Sequence, residues 1–279
     1  MTGVADYRDR ASTVTLGRYR DRMPQSPSEP AVASASDHVE AARIATLAGE
    51  LLLALRDELT AANAHSSVLK REGDRQAHDL IMRELTENRP DDAVLSEEGR
   101  DRPERLNAAR VWIVDPLDGT REYGEGRQDW AVHVALVIGN QPVAGAVALP
   151  ALGLTLSTAD PPPLPTRRTT TPRMIVSRSR PPVAAIIVAE AIGAELISLG
   201  SAGAKTMAVV LGEADIYAHS GGQYEWDSCA PIAVARAAGL HTSRIDGSEL
   251  IYNQPDPYLP DLLVCHPDLA AAALGALRG

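Results

Sequence analysis

The chain has 279 residues, 44% of them hydrophobic, and a formal net charge of −10. That length suits one large domain or two moderate ones, and the apolar share supports a real core. The acidic balance argues against nucleic-acid polymers and acidic membrane surfaces as partners, and it would repel a phosphorylated substrate unless metal ions reverse the local sign. No apolar run of membrane-spanning length and no secretory h-region is present. With only Cys229 and Cys265, neither a disulfide framework nor a cysteine zinc site is indicated, so a cytoplasmic protein is expected.

Residues 1–36 are polar, with Pro24, Pro27 and Pro30 in a Ser-rich context, and read as a flexible tail. Asp37 and Glu40 fit a capping box that opens a helix. Its expected apolar face is Val39, Ala42, Leu47, Leu51, Leu55 and Leu59. A second helix is predicted over 75–88, with Asp74 as its cap. Short apolar runs at 93–95, 111–115, 130–138, 143–149 and 153–158 read as strands, with Gly139-Asn140 as a hairpin turn. Residues 37–160 thus read as an α+β half. Pro161 to Pro172 is the expected linker. Residues 173–279 alternate strand and helix: strands at 174–177, 196–199, 214–217 and 262–265, helices at 183–192, 204–211 and 228–238, then an Ala/Leu-rich terminal helix. That alternation predicts a layered α/β half.

The chemistry concentrates at Asp115-Pro116-Leu117-Asp118-Gly119-Thr120, directly after the apolar run 111–114. Two carboxylates three residues apart repel each other in a turn unless a hard cation sits between them, and carboxylate oxygens suit Mg²⁺ or Ca²⁺. Glu97-Glu98 also follows a predicted strand, and Asp227 stands where a helix is expected to start. Taken singly, each acid reads first as a helix cap or a solvated surface group. Their shared position at strand ends and helix starts favours a metal site, where paired ions clamp the attacking and leaving oxygens of a phosphoryl transfer. Gly119 and Thr120 would offer backbone N–H groups and a hydroxyl to phosphate oxygens. The aspartyl-nucleophile pattern of haloacid-dehalogenase-like phosphatases fails, because Pro116 stands two residues before Asp118. Water is therefore the expected nucleophile. Trp130 and Trp226 read as packing residues and His133 as a structural histidine within a strand.

Glu97-Glu98, the run from Trp112 to Thr120, and Trp226-Asp227 together resemble the inositol monophosphatase superfamily, lithium-sensitive Mg²⁺-dependent phosphatases, over roughly residues 37–275. The resemblance implies an α/β fold, a five-layer αβαβα sandwich. It implies Glu97, Asp115 and the Leu117 carbonyl on a first metal, and Asp115, Asp118 and Asp227 on a second, with two or three Mg²⁺ per site and inhibition by Li⁺. Asp74 and Glu97 would orient the water, with Thr120 beside them. The family's Thr two residues after that Asp is here Gln76.

Gly200-Ser201-Ala202-Gly203-Ala204-Lys205, with Glu225-Trp226-Asp227 and the stretch from Tyr252 to Asp261, is similar to the CysQ branch, the 3′-phosphoadenosine 5′-phosphate phosphatases, in its actinobacterial form. The similarity implies a small phosphorylated nucleotide as substrate, held by Gly119, Thr120, Gly203, Lys205 and Asp227, and a homodimer. 3′-Phosphoadenylyl sulfate is the related substrate, and sulfur assimilation the implied setting. Ala202 and His219 depart from the nucleotidase pattern of Ser and Arg. Inositol monophosphates or fructose 1,6-bisphosphate are the alternative substrates, and a non-catalytic nucleotide-binding regulator is the alternative class.

Overall fold

The computed structural model describes Met1 and residues 32–167, 169–178 and 181–278. The tail expected over 1–36 falls mostly outside the described residues, and its last two residues are already helical. α1 (Ala35–Ala61) starts three residues earlier than expected. Ser34 is the N-cap and Asp37 the third helical residue, and the Asp37 carboxylate accepts from the Ser34 backbone N–H at 2.7 Å. Arg110 and Arg89 also bind that carboxylate, which leaves it no role as the cap itself. The buried stripe of α1 is Ala41, Ile44, Ala45, Ala48, Leu52 and Leu55, while Val39 is exposed. Leu55 lies in that stripe as expected, while Leu47, Leu51 and Leu59 are partly buried along its flanks.

α2 (Ser66–Asn88) begins nine residues before the expected start. His65 caps it, and Leu69 and Gly73 extend the stripe Ala77, Leu80, Ile81, Leu85 upstream through a charged stretch that hid the period. Asp74 therefore lies inside the helix and is not its cap.

The first sheet has the order β1-β2-β3-β4-β5. β1 (Ala93–Ser96) pairs parallel with β2 (Val111–Asp118), and β3 (Ala131–Ile138), β4 (Gln141–Leu149) and β5 (Leu154–Ser157) follow antiparallel. Gly139 and Asn140 turn the β3–β4 hairpin at φ 57° and 64°, as a tight primed turn requires. β2 does not stop at Asp115. It runs through Asp118 with a break in register between the two aspartates, as Pro116 has no N–H for the ladder. The short helix α3 (Thr120–Gly124) follows.

The second sheet contains β6 (Arg173–Ser177), β7 (Glu195–Leu199), β8 (Ile216–Tyr224), β9 (His241–Ser243) and β10 (Tyr258–Cys265), in the order β7-β6-β8-β10-β9. β7, β6 and β8 are parallel, and β10 is antiparallel to both its neighbours. The helices are α4 (Val183–Ile192), α5 (Ala202–Val210), α6 (Glu225–Ala237) and α7 (Pro267–Arg278). β8 continues seven residues past its expected end, because β10 pairs with it as far as Tyr224 and overrides the Gly221-Gly222 break. α6 consequently starts at Glu225, and Asp227 is its third residue instead of the cap. Gly239, at φ 82°, ends it in the C′ role.

Alternation along the strands sorts the layers. Trp112, Val114, Val132, Val134, Ala146 and Ala148 pack on α1 and α2. Their neighbours Val111, Ile113, Ala135 and Val147 face the opposite way, into a core shared with α5, α6 and one face of the second sheet. Met174, Val176, Ile216 and Leu263 pack on α4 and α7. The result is the expected αβαβα sandwich, and residues 32 onward belong to one compact unit. Among the described residues, no helix is long and apolar enough to cross a membrane.

Candidate metal centre

Asp115 and Asp118 lie on either side of the register break in β2, and Asp227 enters from the first turn of α6. One carboxylate oxygen from each lies within 4.8 Å of the others. Asp115 and Asp118 are buried. Glu97, one residue beyond β1, reaches solvent, while protein surrounds most of its carboxyl. Burial, then the charges of Asp227, Asp118 and Glu98, pushes Glu97 up to about 7. Asp115 rises well above the carboxylate range through burial and the charges of Glu97, Asp118 and Asp227. Burial and Asp118 push Asp227 up to about 6, against the Tyr224 backbone N–H that donates to it at 2.6 Å.

Asp118 goes the other way. Burial alone would raise it, but His133, the Gly203 N–H and the charge of Lys205 bring it down to about 2. The N-terminus of α5 supplies two donors to it, Ala202 N–H at 3.2 Å and Gly203 N–H at 2.6 Å. His133 Nε2 stands 3.3 Å from Asp118 Oδ2, and Nδ1 donates to the Trp226 carbonyl at 3.0 Å. With one ring nitrogen facing a carbonyl and the other a carboxylate, both sides favour the imidazolium, and the His133 pKa is raised despite burial. The strand reading of His133 holds, yet the residue also touches the site. The antiparallel pairing of β2 and β3, which no local pattern announces, places it opposite Asp115.

A buried, all-oxygen, mutually repelling acid set fits a hard divalent cation in chemistry. The Leu117 carbonyl beside it accepts the Thr120 hydroxyl at 3.1 Å, and that hydroxyl also lies 3.2 Å from Asp74 Oδ1. Asp74 is raised to about 6 by burial and the charge of Glu98, against the Thr120 bond. Gly119 adopts φ 86°, and a Cβ there would meet Ser201 at 2.9 Å, so the turn tolerates no side chain.

Lys205 is buried, not solvated. Its Nζ donates to the Gly200 carbonyl and, at 2.9 Å, to that of Ser201, and it lies 5.5 Å from the Tyr217 ring centroid. Burial lowers the His219 pKa, and its Nε2 lies 3.3 Å from the Gly222 carbonyl oxygen, so it is a poor replacement for an arginine.

The raised acids set a pH dependence. A carboxyl with a higher pKa folded than unfolded keeps more proton in the folded state. Stability of the metal-free protein then falls as pH rises from about 4 through 7, by about 1.4 kcal/mol per pH unit for each proton of difference. The depressed Asp118 acts oppositely, but only as pH falls toward 2. Metal-free protein is therefore expected to melt lower at pH 8 than at pH 6, and a divalent cation held by the cluster would raise the melting temperature more at pH 8. Calorimetric titration in buffers of different ionisation heat should detect proton release on metal binding near pH 6.

An αβαβα sandwich with an acidic, oxygen-only cluster at a strand end and helix start is the architecture of a metal-site phosphatase class. The chain belongs to the inositol monophosphatase family, which it matches over residues 36–277. It is 47% identical over 259 residues to the 3′-phosphoadenosine 5′-phosphate phosphatase of Mycobacterium leprae, covering 88% of this chain and 95% of that one. It is 33% identical over 196 residues to the 3′(2′),5′-bisphosphate nucleotidase CysQ of Escherichia coli, covering 66% and 79%. The crystal structure of CysQ from Bacteroides thetaiotaomicron superposes with a TM-score of 0.69 at 28% identity, covering 83% and 97%.

Proposed function

We propose that this chain is a bisphosphate nucleotidase that removes the 3′-phosphate of 3′-phosphoadenosine 5′-phosphate, yielding AMP and inorganic phosphate. The observation that carries this reading is the Asp115–Asp118–Asp227 cluster beside the Asp74–Thr120 pair. The names of the relatives supply the substrate class. Mg²⁺ is the proposed ion and Li⁺ the proposed inhibitor, and the same reaction on 3′-phosphoadenylyl sulfate would place the enzyme in cytoplasmic sulfur assimilation.

Asp115, Asp118 and Asp227, with Glu97 and the Leu117 carbonyl, would hold the ions. When bound, these would neutralise phosphoryl oxygens and acidify water. The chain's own groups do the rest. Asp74, poised near 6, accepts the proton of the attacking water. Thr120, shared between Asp74 and the Leu117 carbonyl, fixes the orientation of that base. Backbone N–H groups of Gly119 and Thr120 meet the phosphate. Gly203 is committed to Asp118, so its contribution to substrate is the shape of the α5 start. Lys205 contributes charge from behind the Gly200–Ser201 turn.

The base has a candidate platform. Tyr224 stacks on Trp226 with centroids 4.8 Å apart and planes 10° from parallel, and Tyr258 meets Tyr224 edge-on at 6.1 Å. Tyr224 and Tyr258 are about half exposed (47% and 48%), so their faces are open to a ligand. The Tyr224 N–H donates to Asp227, so the platform adjoins the acid cluster. Trp226, expected as a packing residue, does pack on the central core and also backs this face. Tyr224→Ala is expected to raise KM for the nucleotide about tenfold, the scale of one lost base stack, with fructose 1,6-bisphosphate hydrolysis unchanged. Steady-state phosphate release on both substrates tests it. Equal effects on the two would remove the nucleotide from the reading.

A further inference from the structure

Arg105 is a fully buried arginine outside the acid cluster, 2% exposed. It lies in a 3-10 turn, Pro103–Asn107, on the loop that follows Glu97. Its guanidinium makes four bonds. Nε and Nη2 donate to the two oxygens of Asp101 at 2.7 and 3.0 Å. Nη1 donates to Asn253 Oδ1 at 2.7 Å, and Nη2 also donates to the Gln254 carbonyl at 2.9 Å. Asn253 Nδ2 returns a bond to the Arg105 carbonyl at 3.3 Å.

The same two residues hold α6 from the other side. Glu225, the first residue of that helix and 2% exposed, accepts the backbone N–H of Asn253 at 2.6 Å and of Gln254 at 2.8 Å. Asn253 engages both partners at φ 59°, in the left-handed region that asparagine tolerates better than most residues. The chain of bonds therefore runs from Asp101, four residues after Glu97, through Arg105 and Asn253-Gln254 to Glu225, two residues before Asp227. It touches neither acid. It joins two segments distant in sequence whose acids must meet at a fixed spacing.

We propose that Arg105 is a positioning residue that sets the spacing between Glu97 and Asp227, and through it the affinity of the site for divalent metal. The inference rests on the metal reading of the acid cluster. A guanidinium suits this task because its planar fork fixes several acceptors at once, which a lysine ammonium does not.

The test uses the full chain and Mn²⁺ alone, with free Mn²⁺ followed by electron paramagnetic resonance. Arg105→Lys keeps the charge and loses the fork. Asn253→Gly suits the left-handed backbone, keeps the N–H to Glu225, and removes only the side-chain bonds to Arg105, so it folds even if the arginine variant does not. Asn253→Gly is expected to weaken Mn²⁺ binding about tenfold, as loss of outer-shell support does elsewhere. Its melting temperature should stay close to the parent's, with nucleotide KM unchanged at saturating Mg²⁺ and kcat recovered by excess Mg²⁺. Parental Mn²⁺ binding in Asn253→Gly would overturn the proposal, as would a loss of kcat that excess Mg²⁺ does not recover. Asp115→Asn runs alongside: if it too binds Mn²⁺ as the parent does, the metal reading itself fails; if it loses Mn²⁺ while Asn253→Gly does not, only the positioning role fails.

Discussion

Asp115→Asn is expected to lower Mg²⁺-dependent phosphate release about a thousandfold or more and, at the same time, to raise the melting temperature of the metal-free protein at pH 8. The two effects share one cause. Asp115 is buried among Glu97, Asp118 and Asp227, and each of those charges raises its pKa. Asparagine has nearly the same shape and can still accept the Leu117 N–H that now donates to Asp115 Oδ1 at 3.0 Å. It removes a carboxyl whose ionisation the fold opposes, and with it the cost of keeping that carboxyl buried among like charges where no cation is present. It also removes an anionic oxygen from the residue that the proposed ion pair would share, and losses of about a thousandfold follow from deleting one preorganised electrostatic partner. Activity assays with differential scanning calorimetry in chelator measure both. A variant that loses activity and also melts lower at pH 8 would show that Asp115 acts as a structural acceptor, not as a repelled ligand.

Gly203→Ala is expected to destabilise the protein by about 1–3 kcal/mol, the range for an overpacked interior site, and to cut activity at least about a hundredfold. Glycine inside an α-helix ordinarily costs about 1 kcal/mol relative to alanine, so the sign of the change is diagnostic. A Cβ at this position would lie 2.0 Å from His133 Nε2 and 3.1 Å from Asp118 Oδ2. His133 cannot retreat freely, because its other nitrogen is bonded to the Trp226 carbonyl and the ring is fully buried. The α5 N-terminus must move instead, and with it the two N–H groups that keep Asp118 ionised. Thermal melts and phosphate release read both consequences. A variant more stable than the parent would mean that α5 leaves room for a methyl group beside His133.

The acids that form the cluster were legible in the sequence because a chemical conflict marks them: two aspartates in a Pro/Gly turn make little sense without a cation. The strands were legible as apolar runs at 111–115 and 130–138, but the layering came only with the family resemblance, since runs buried on both faces do not show which face meets which layer. What escaped was set by contacts between distant segments. β8 continues through two glycines because β10 holds it in register, and no local pattern announces that pairing. The same continuation moves the start of α6 and turns Asp227 from a cap into a first-turn residue. The resemblance implied Lys205 as a substrate contact; what no local pattern shows is that its ammonium closes back on the carbonyls of Gly200 and Ser201, which follows from the burial of α5 on all sides. Arg105 sits in a charged stretch that looks like surface, and only Asn253, 148 residues away, shows why it is buried.

The most direct measurement is inorganic phosphate released by the full chain from 3′-phosphoadenosine 5′-phosphate, inositol 1-phosphate and fructose 1,6-bisphosphate at equal concentration, each with Mg²⁺ and with chelator. The expected result is release from the nucleotide well above the other two, abolished by chelator and by Asp115→Asn. Release that persists in chelator would contradict the metal site, and equal turnover of all three would contradict the nucleotide.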